Sequence, residues 1–207
     1  MKVLSIALLT LLVSCSSVKP LMKDVVNAPS KVNPLINGSS IPSTKVFNSK
    51  GMEVDLSIEL KGQNTVLVFY RGGWCPYCNL QLQGLRKIEK KLQKLGWKVV
   101  GISPDSVESL SKSVTKNKLS YSLYSDSKIN AAKNFGLAFK VTNERKTQLL
   151  GWGLDINKAS GEAHGVLPVP GVFLINKDGV IVFNYVNPNY KVRLKESIIL
   201  EAAKQLK

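Results

Sequence analysis

Cysteine and histidine are scarce in this chain: Cys15, Cys75, Cys78 and a single His164 among 207 residues. A structural zinc site takes four ligands from those two residue types, so the supply leaves no margin for one. A purely structural disulfide between Cys75 and Cys78 is disfavoured too, because so short a loop removes little unfolded-state entropy. Acidic residues are few, 14 against 29 Lys and Arg, for a net charge of +15. The charge is mostly lysine and is spread along the chain, which reads as a solvated surface with some attraction for anionic lipid headgroups. Long apolar runs are missing as well. The first such segment, Val3 to Val13, is too short to span a bilayer. The chain contains no internal repeat and no second domain boundary.

What the chain does have is the run Phe69-Tyr70-Arg71-Gly72-Gly73-Trp74-Cys75-Pro76-Tyr77-Cys78. The apolar run Val66 to Tyr70 ends in two glycines, and an amphipathic pattern follows. This predicts a buried strand feeding a helix, with a dithiol at the helix N-terminus. Unpaired N–H groups and the positive end of the helix dipole favour a thiolate there. Pro76 suits the first helical turn, where its missing N–H costs no hydrogen bond. A nucleophilic thiol beside a second thiol predicts redox chemistry with no metal and no separate cofactor, the Cys75–Cys78 disulfide being the redox group.

The front of the chain has a short charged start, Met1-Lys2, and the apolar core of a signal peptide. Its end, Leu12-Val13-Ser14-Cys15, resembles the bacterial lipoprotein cleavage box. That resemblance implies residues 1–14 as signal peptide and lipidation at Cys15. Ser16 in the next position points, by the same resemblance, to the outer membrane and to a periplasmic place in the cell envelope. Nucleic acid is then not an expected partner. Residues 15–42, interrupted by Pro20, Pro29, Pro34 and Pro42, read as a flexible tether. Residues 43–207 are long enough for one domain with a proper core.

Within that domain, Lys45 to Leu60 reads as a hairpin about Asn48-Ser49-Lys50-Gly51. Leu82, Leu85, Ile88, Leu92 and Leu95 mark one helix face, closed by Gly96. Val99 to Ile102 is a second buried strand. Asp105 with Glu108 forms a capping-box pattern for a further helix. Tyr121 to Tyr124 reads as a short strand and Ile129 to Phe135 as a short helix. Val172 to Ile175 and Val180 to Tyr185 form a hairpin about Asn176-Lys177-Asp178-Gly179, and Lys191 to Leu206 reads as a final helix. The order predicts an α/β fold with a mixed central sheet, helices on both faces and an N-terminal hairpin.

This order, with the dithiol at a strand–helix junction, resembles the thioredoxin fold. More narrowly, the chain from about Pro42 onward resembles the peroxiredoxin-like branch of the alkyl hydroperoxide reductase and thiol-specific antioxidant family. The segments that carry the resemblance are Phe69 to Cys78, Leu167-Pro168-Val169-Pro170-Gly171-Val172-Phe173-Leu174-Ile175, and Asp178-Gly179-Val180-Ile181 with Asn187-Pro188. Cys75-Pro76-Tyr77-Cys78 itself resembles the glutaredoxin tetrapeptide. Family register places the peroxide-attacking cysteine at Cys78, but Arg71 stands where the family has proline, Cys75 where it has threonine, and Pro170 where it has arginine. Pro170 instead resembles the cis-proline facing the dithiol in thioredoxins. That resemblance leaves the Val169 backbone free to pair with an extended substrate.

Two functions follow. The leading expectation is a membrane-tethered thiol-disulfide oxidoreductase in which Cys75 attacks and Cys78 resolves. The alternative is a thiol-dependent peroxidase in which Cys78 attacks a hydroperoxide and Cys75 resolves. A redox-inert binding module is a third class, opposed by the intact dithiol. Trp74, Pro76, Tyr77, Arg71, Val169 and Pro170 are the expected substrate contacts. Disulfide-bearing proteins, thiols or hydroperoxides are the expected substrates, and a thioredoxin-like or membrane donor the expected electron source. His164 reads as an ordinary loop histidine or a proton carrier. The long connection Leu137 to Gly165, with Leu149-Leu150-Gly151-Trp152-Gly153-Leu154 at its centre, reads as an ordered lid or partner-binding element.

Overall fold

A computed structural model describes residues 24–206. The expected signal peptide, residues 1–14, and the expected lipidation site Cys15 lie outside the described residues. Seven strands form one sheet in the order β2-β1-β5-β4-β3-β8-β9. In chain order the elements are β1 (Lys45–Phe47), β2 (Glu53–Asp55), α1 (Leu56–Leu60), β3 (Asn64–Phe69), α2 (Pro76–Lys94), β4 (Trp97–Ser103), α3 (Val107–Asn117) and β5 (Ser122–Ser125). They continue with α4 (Asn130–Asn134), β6 (Ala138–Lys140), α5 (Asn143–Gly151), α6 (Ile156–Ser160), β7 (Val166–Pro168), β8 (Gly171–Ile175), β9 (Ile181–Val186) and α7 (Glu196–Gln205). β3 runs parallel to β4 and antiparallel to β8. β6 and β7 make a separate two-stranded ladder.

β3 is central because both of its faces are apolar. Val66, Val68 and Tyr70 point into one core with Leu82, Leu85 and Leu92 of α2 and Ile199 and Ala203 of α7. Leu67 and Phe69 point into the other, with Leu56 and Leu60 of α1 and Phe135 behind α4. Side chains alternate across a strand, so a run apolar at every position buries both faces. Phe69, Phe135 and Phe173 meet at centroid distances of 4.9 to 5.9 Å, within the range of favourable edge contacts. Trp97 Nε1 donates to the Ala203 carbonyl at 2.9 Å, tying the start of β4 to α7.

Three segments differ from what their sequence predicts. The hairpin stops at Asp55, whose side chain caps α1 by accepting from Ser57 N, so Leu56 to Leu60 is helical. The final helix starts at Glu196, not Lys191; Asn187 to Lys195 is a loop. Residues 24–42 are not a free tether. Val26 N donates to Ala138 O and Val26 O accepts from Lys140 N, Leu35 N donates to Phe135 O, and Gly38 N to Ile181 O. Prolines remove helix periodicity, but the extended segments between them keep N–H and C=O groups free to pair with the body.

Connection 137–165 is ordered, carrying β6, α5 and α6. Leu149 and Ile156 are buried beneath it, whereas Leu150 and Trp152 are exposed. His164 pins its end: Nδ1 accepts from Val166 N at 2.9 Å, which leaves Nε2 as the donor to Ser127 O at 2.8 Å. Burial pulls its pKa down, so it is a neutral structural histidine.

Candidate active site

The dithiol sits where β3 gives way to α2. Cys75 is the N-cap of α2, Pro76 the first helical residue, and Cys78 lies in the first turn. The turn between strand and helix requires Gly72 and Gly73. Gly72 has φ +150°, and a Cβ there would run into the Trp74 ring and the Asp105 carboxylate. A Cβ on Gly73 would strike the Ser113 side chain.

Gly73 is held from both sides. Its N–H donates to Asp105 Oδ2 at 2.7 Å, and its carbonyl accepts from Asn79 Nδ2 at 2.8 Å. Asn79 in turn accepts from Asn117, which accepts from Gln83. Asp105 also accepts from Ser103 Oγ at 3.1 Å. It is therefore no helix cap. Ser106 caps α3 instead, accepting from Ser109 N, while Glu108 pairs with Lys112 at the surface. Burial pushes the Asp105 carboxyl up to about 6.

The two sulfurs are electrostatically opposite. The Cys75 thiol is pulled down to about 6, first by its hydrogen bond from Cys78, against burial, with further help from the Cys78 backbone, Arg71 and Arg193. Burial pushes the Cys78 thiol up, and its hydrogen bond to Cys75 adds to that. Cys75 is thus the thiolate at neutral pH and Cys78 the protonated donor. Cys75, itself only 1% exposed, lines a cleft of about 430 Å³ with Trp74, Tyr77, Arg145, Trp152 and Tyr190. Cys78 is fully buried.

This difference has a pH signature. Alkylation of Cys75 by iodoacetamide should rise through pH 6 and be nearly flat by pH 8, while Cys78 stays unreactive over that range. The folded-state pKa lies below the ordinary value of 9.0, so the thiolate's contribution to stability is fully present above about pH 9 and is lost as pH falls through 6. A Cys75 titration midpoint at or above 8 would contradict the assignment.

Two residues that local sequence reading missed complete the site. Arg193 Nη2 donates to Cys78 Sγ at 3.3 Å, while its Nη1 and Nε donate to Gln81 Oε1 and Tyr190 O. Tyr190 stacks edge-on against Tyr77 and lies under Arg71, whose guanidinium carbon is 4.1 Å from its ring centroid. Both come from the loop before α7, far from the dithiol in sequence, and nothing in their local pattern marks them. A guanidinium does face Cys78, though from a different place than family register implies. Replacing Arg193 with methionine should slow closure of the Cys75–Cys78 disulfide by about tenfold, the worth of one charge-assisted hydrogen bond. Arg193→Lys should restore part of the rate, as read by single-turnover thiol loss.

The expected substrate contacts divide. Arg71, Trp74, Pro76 and Tyr77 all line the Cys75 cleft. Val169 and Pro170 do not. The Val169–Pro170 peptide is trans, as is every peptide among the described residues. Val169 is fully buried and its N–H donates to Leu137 O at 2.8 Å. β6, delivered by the 137–165 connection, pairs with β7 and takes the edge that an extended substrate needs. Pro170 lines a neighbouring cavity of about 240 Å³ that shares Arg71, Arg145 and Tyr190 with the cleft.

A thioredoxin-type sheet with a polarised dithiol at a helix N-terminus defines a thiol-dependent oxidoreductase. Its family model, AhpC/TSA, matches residues 37–184, and the chain belongs to that family. It is 30% identical over 176 residues to the bcp protein of Haemophilus influenzae, covering 84% of this chain and all of that one. It is 24% identical over 158 residues to thiol-disulfide oxidoreductase ResA of Bacillus cereus, 76% of this chain and 74% of the other. Among solved structures, peroxidoxin BcpB of Mycobacterium tuberculosis superimposes with TM-score 0.63 at 18% identity, covering 83% of this chain and 97% of that one. Peroxiredoxin Q of Xanthomonas campestris gives 0.59 at 20% identity, over 78% and 89%.

Proposed function

We propose that this protein is a thiol-dependent peroxidase in which Cys75 attacks and Cys78 resolves. The peroxidase class is favoured by the peroxiredoxin relatives. The order of the sulfurs reverses family register, and one observation carries it: Cys75, itself only 1% exposed, lines the cleft and holds the thiolate, while Cys78 is not among the cleft's lining residues and is held protonated. In the oxidising step the Cys75 thiolate attacks the distal oxygen of a hydroperoxide, and the O–O bond breaks. The oxygen goes to sulfur as a sulfenic acid, and the alkoxide takes the Cys78 proton and leaves as an alcohol. Once Cys75 is neutral, Cys78 loses its like-charge neighbour and Arg193 stabilises the new thiolate. That thiolate attacks the Cys75 sulfur, hydroxide leaves as water with a solvent proton, and the disulfide forms. Because the Cys75 thiolate is stabilised, the reduced form is favoured and the disulfide is a comparatively oxidising one.

Disulfide exchange by the same dithiol is the second reading, favoured by the likeness to ResA. The electron donor in either case is a thioredoxin-like protein or a small thiol. Envelope anchoring through Cys15 remains part of the proposal and rests on the sequence alone. Mass spectrometry of a membrane fraction should find a diacylated N-terminal Cys15; a soluble mature form starting elsewhere removes the anchor.

Sulfenic acid trapping tests the order of the sulfurs. Reduced Cys78→Ser protein treated with cumene hydroperoxide and dimedone should carry the adduct on Cys75. An adduct on Cys78 in Cys75→Ser protein, with none in Cys78→Ser, restores the family register instead.

A further inference from the structure

We propose that Arg71 and Arg145 form a subsite for an organic carboxylate beside Cys75. The inference rests on Cys75 being the sulfur that outside reagents meet, and it adds the chemical class of those reagents.

The charge pattern is the first observation. Arg71 is only 5% exposed, and a cation that far out of water ordinarily has a carboxylate partner. Here it has none. Among the described residues the ion pairs are Lys112–Glu108, Lys128–Glu53 and Lys204–Glu201, and no arginine takes part. No Asp or Glu lines either the Cys75 cleft or the adjoining cavity. Asp105, the buried carboxyl behind the cleft, is committed to Gly73 and Ser103. The guanidinium of Arg71 rests instead on the faces of Tyr190 and Trp74, 4.1 and 4.9 Å from their centroids.

The placement of Arg145 is the second. It comes from α5, in the connection that crosses the cleft. Its guanidinium lies 4.9 Å from the Trp152 centroid. It spends one donor on Gln148 Oε1 at 3.0 Å and a long 3.4 Å contact on the Tyr190 hydroxyl. Arginine has five donors, so most of the fork is left for a ligand. Tyr190 joins the two cations, its ring under Arg71 and its hydroxyl on Arg145. Both guanidiniums line both the cleft and the cavity, so they stand where the two spaces meet. Two planar, weakly hydrated forks with no carboxylate partner in the chain, Arg71 facing only the Cys75 thiolate, suit a carboxylate. The rest of the cavity is mostly apolar, with Ala28, Phe139, Val141 and Leu167 beside Asn27, Thr142 and Lys140, whose Nζ donates to His164 O, and it suits an organic body.

A carboxylate there places the rest of the molecule against Cys75. In the reducing half-cycle the ligand is a thiol RSH bearing a carboxylate. Its thiolate attacks Cys75 Sγ, the Cys75–Cys78 bond breaks, and Cys78 leaves as a thiolate held by Arg193 before taking a proton. A second RS⁻ attacks the outer sulfur, forming RSSR and returning the Cys75 thiolate. Two thiols are oxidised and one disulfide is reduced. In the oxidising half-cycle the ligand is a carboxylate-bearing hydroperoxide, reduced to its alcohol as above.

Two rate ratios test the subsite. Oxidised protein is reduced by 3-mercaptopropionate and by 2-mercaptoethanol at equal thiolate concentration. Reduced protein is oxidised by a hydroperoxy fatty acid and by its methyl ester. At least one arm should favour the carboxylate by about tenfold, the scale of one charge-assisted hydrogen bond, and the arm that responds identifies the source. Arg145→Gln should bring that ratio towards one, and Arg145→Lys should keep part of it. Ratios near one in both arms overturn the subsite. So does a preference that persists in Arg145→Gln and fades only with salt, because that is the general field of a +15 chain. The thiol arm reads the subsite even if hydroperoxide proves not to be the oxidant, so failure of the subsite and failure of the peroxidase reading are distinguishable.

Discussion

Cys75→Ser should lower steady-state hydroperoxide consumption by at least about 10⁴-fold, the scale of loss when a covalent nucleophile is deleted. Cys78→Ser should cost far less when a small dithiol is supplied. The asymmetry follows from the electrostatics. Cys75 holds the thiolate because Cys78 donates to it and Arg71 and Arg193 face it; serine in its place has no comparable anion at neutral pH. Cys78 is needed only to close the disulfide, and an external thiol can attack the Cys75 sulfenic acid instead. The hydrogen bond from Cys78 does most to lower the Cys75 pKa, so Cys78→Ala, which has no donor, should shift the alkylation midpoint of Cys75 upward. Equal losses in the two variants, or a larger loss in Cys78→Ser, would mean that the sulfurs have been assigned in the wrong order.

Gly73→Ala should destabilise the reduced protein by about 1–3 kcal/mol, the usual cost of an added methyl in a packed site. Its Cβ would collide with the Ser113 side chain on α3, and the Gly73 backbone is clamped by Asp105 and Asn79. Either the strand–helix turn or α3 must yield. Movement of the turn carries Cys75 with it, so the alkylation midpoint should rise along with the loss of stability. Ser113→Gly in the same chain removes the colliding atoms. It should recover part of the stability, less about 1 kcal/mol for glycine within a helix. Urea melts of the four-member cycle read the coupling. Additive effects within about 0.5 kcal/mol would show that the contact is not the cause.

The strand–helix junction was legible because its determinants are consecutive. An apolar run, two glycines and Cys-Pro-Tyr-Cys each act on their own neighbours. The partners of the dithiol were not, because Arg193 and Tyr190 reach it only through the fold. Helical spacing runs through Arg193, from Lys191 to Leu206, but the backbone adopts it only from Glu196. Asp105 was misread for a related reason. Asp105 with Glu108 fits the capping-box pattern, and only the closeness of Gly73 decides that the aspartate clamps the turn and leaves the cap to Ser106. At Val169 and Pro170 the likeness to thioredoxins left a strand edge open, while an edge is closed or open by what packs on it. In this chain the 137–165 connection supplies β6.

The most direct test of the peroxidase reading is a stopped-flow comparison on one sample of reduced protein at pH 7. Thiol loss is followed after mixing with cumene hydroperoxide, and separately with a disulfide-bearing protein at the same concentration. The account predicts faster oxidation by the hydroperoxide, with two thiols lost and one alcohol formed per hydroperoxide. Faster oxidation by the protein disulfide, with the hydroperoxide leaving both thiols intact, would contradict it and make the molecule a disulfide oxidoreductase built on a peroxiredoxin-family fold.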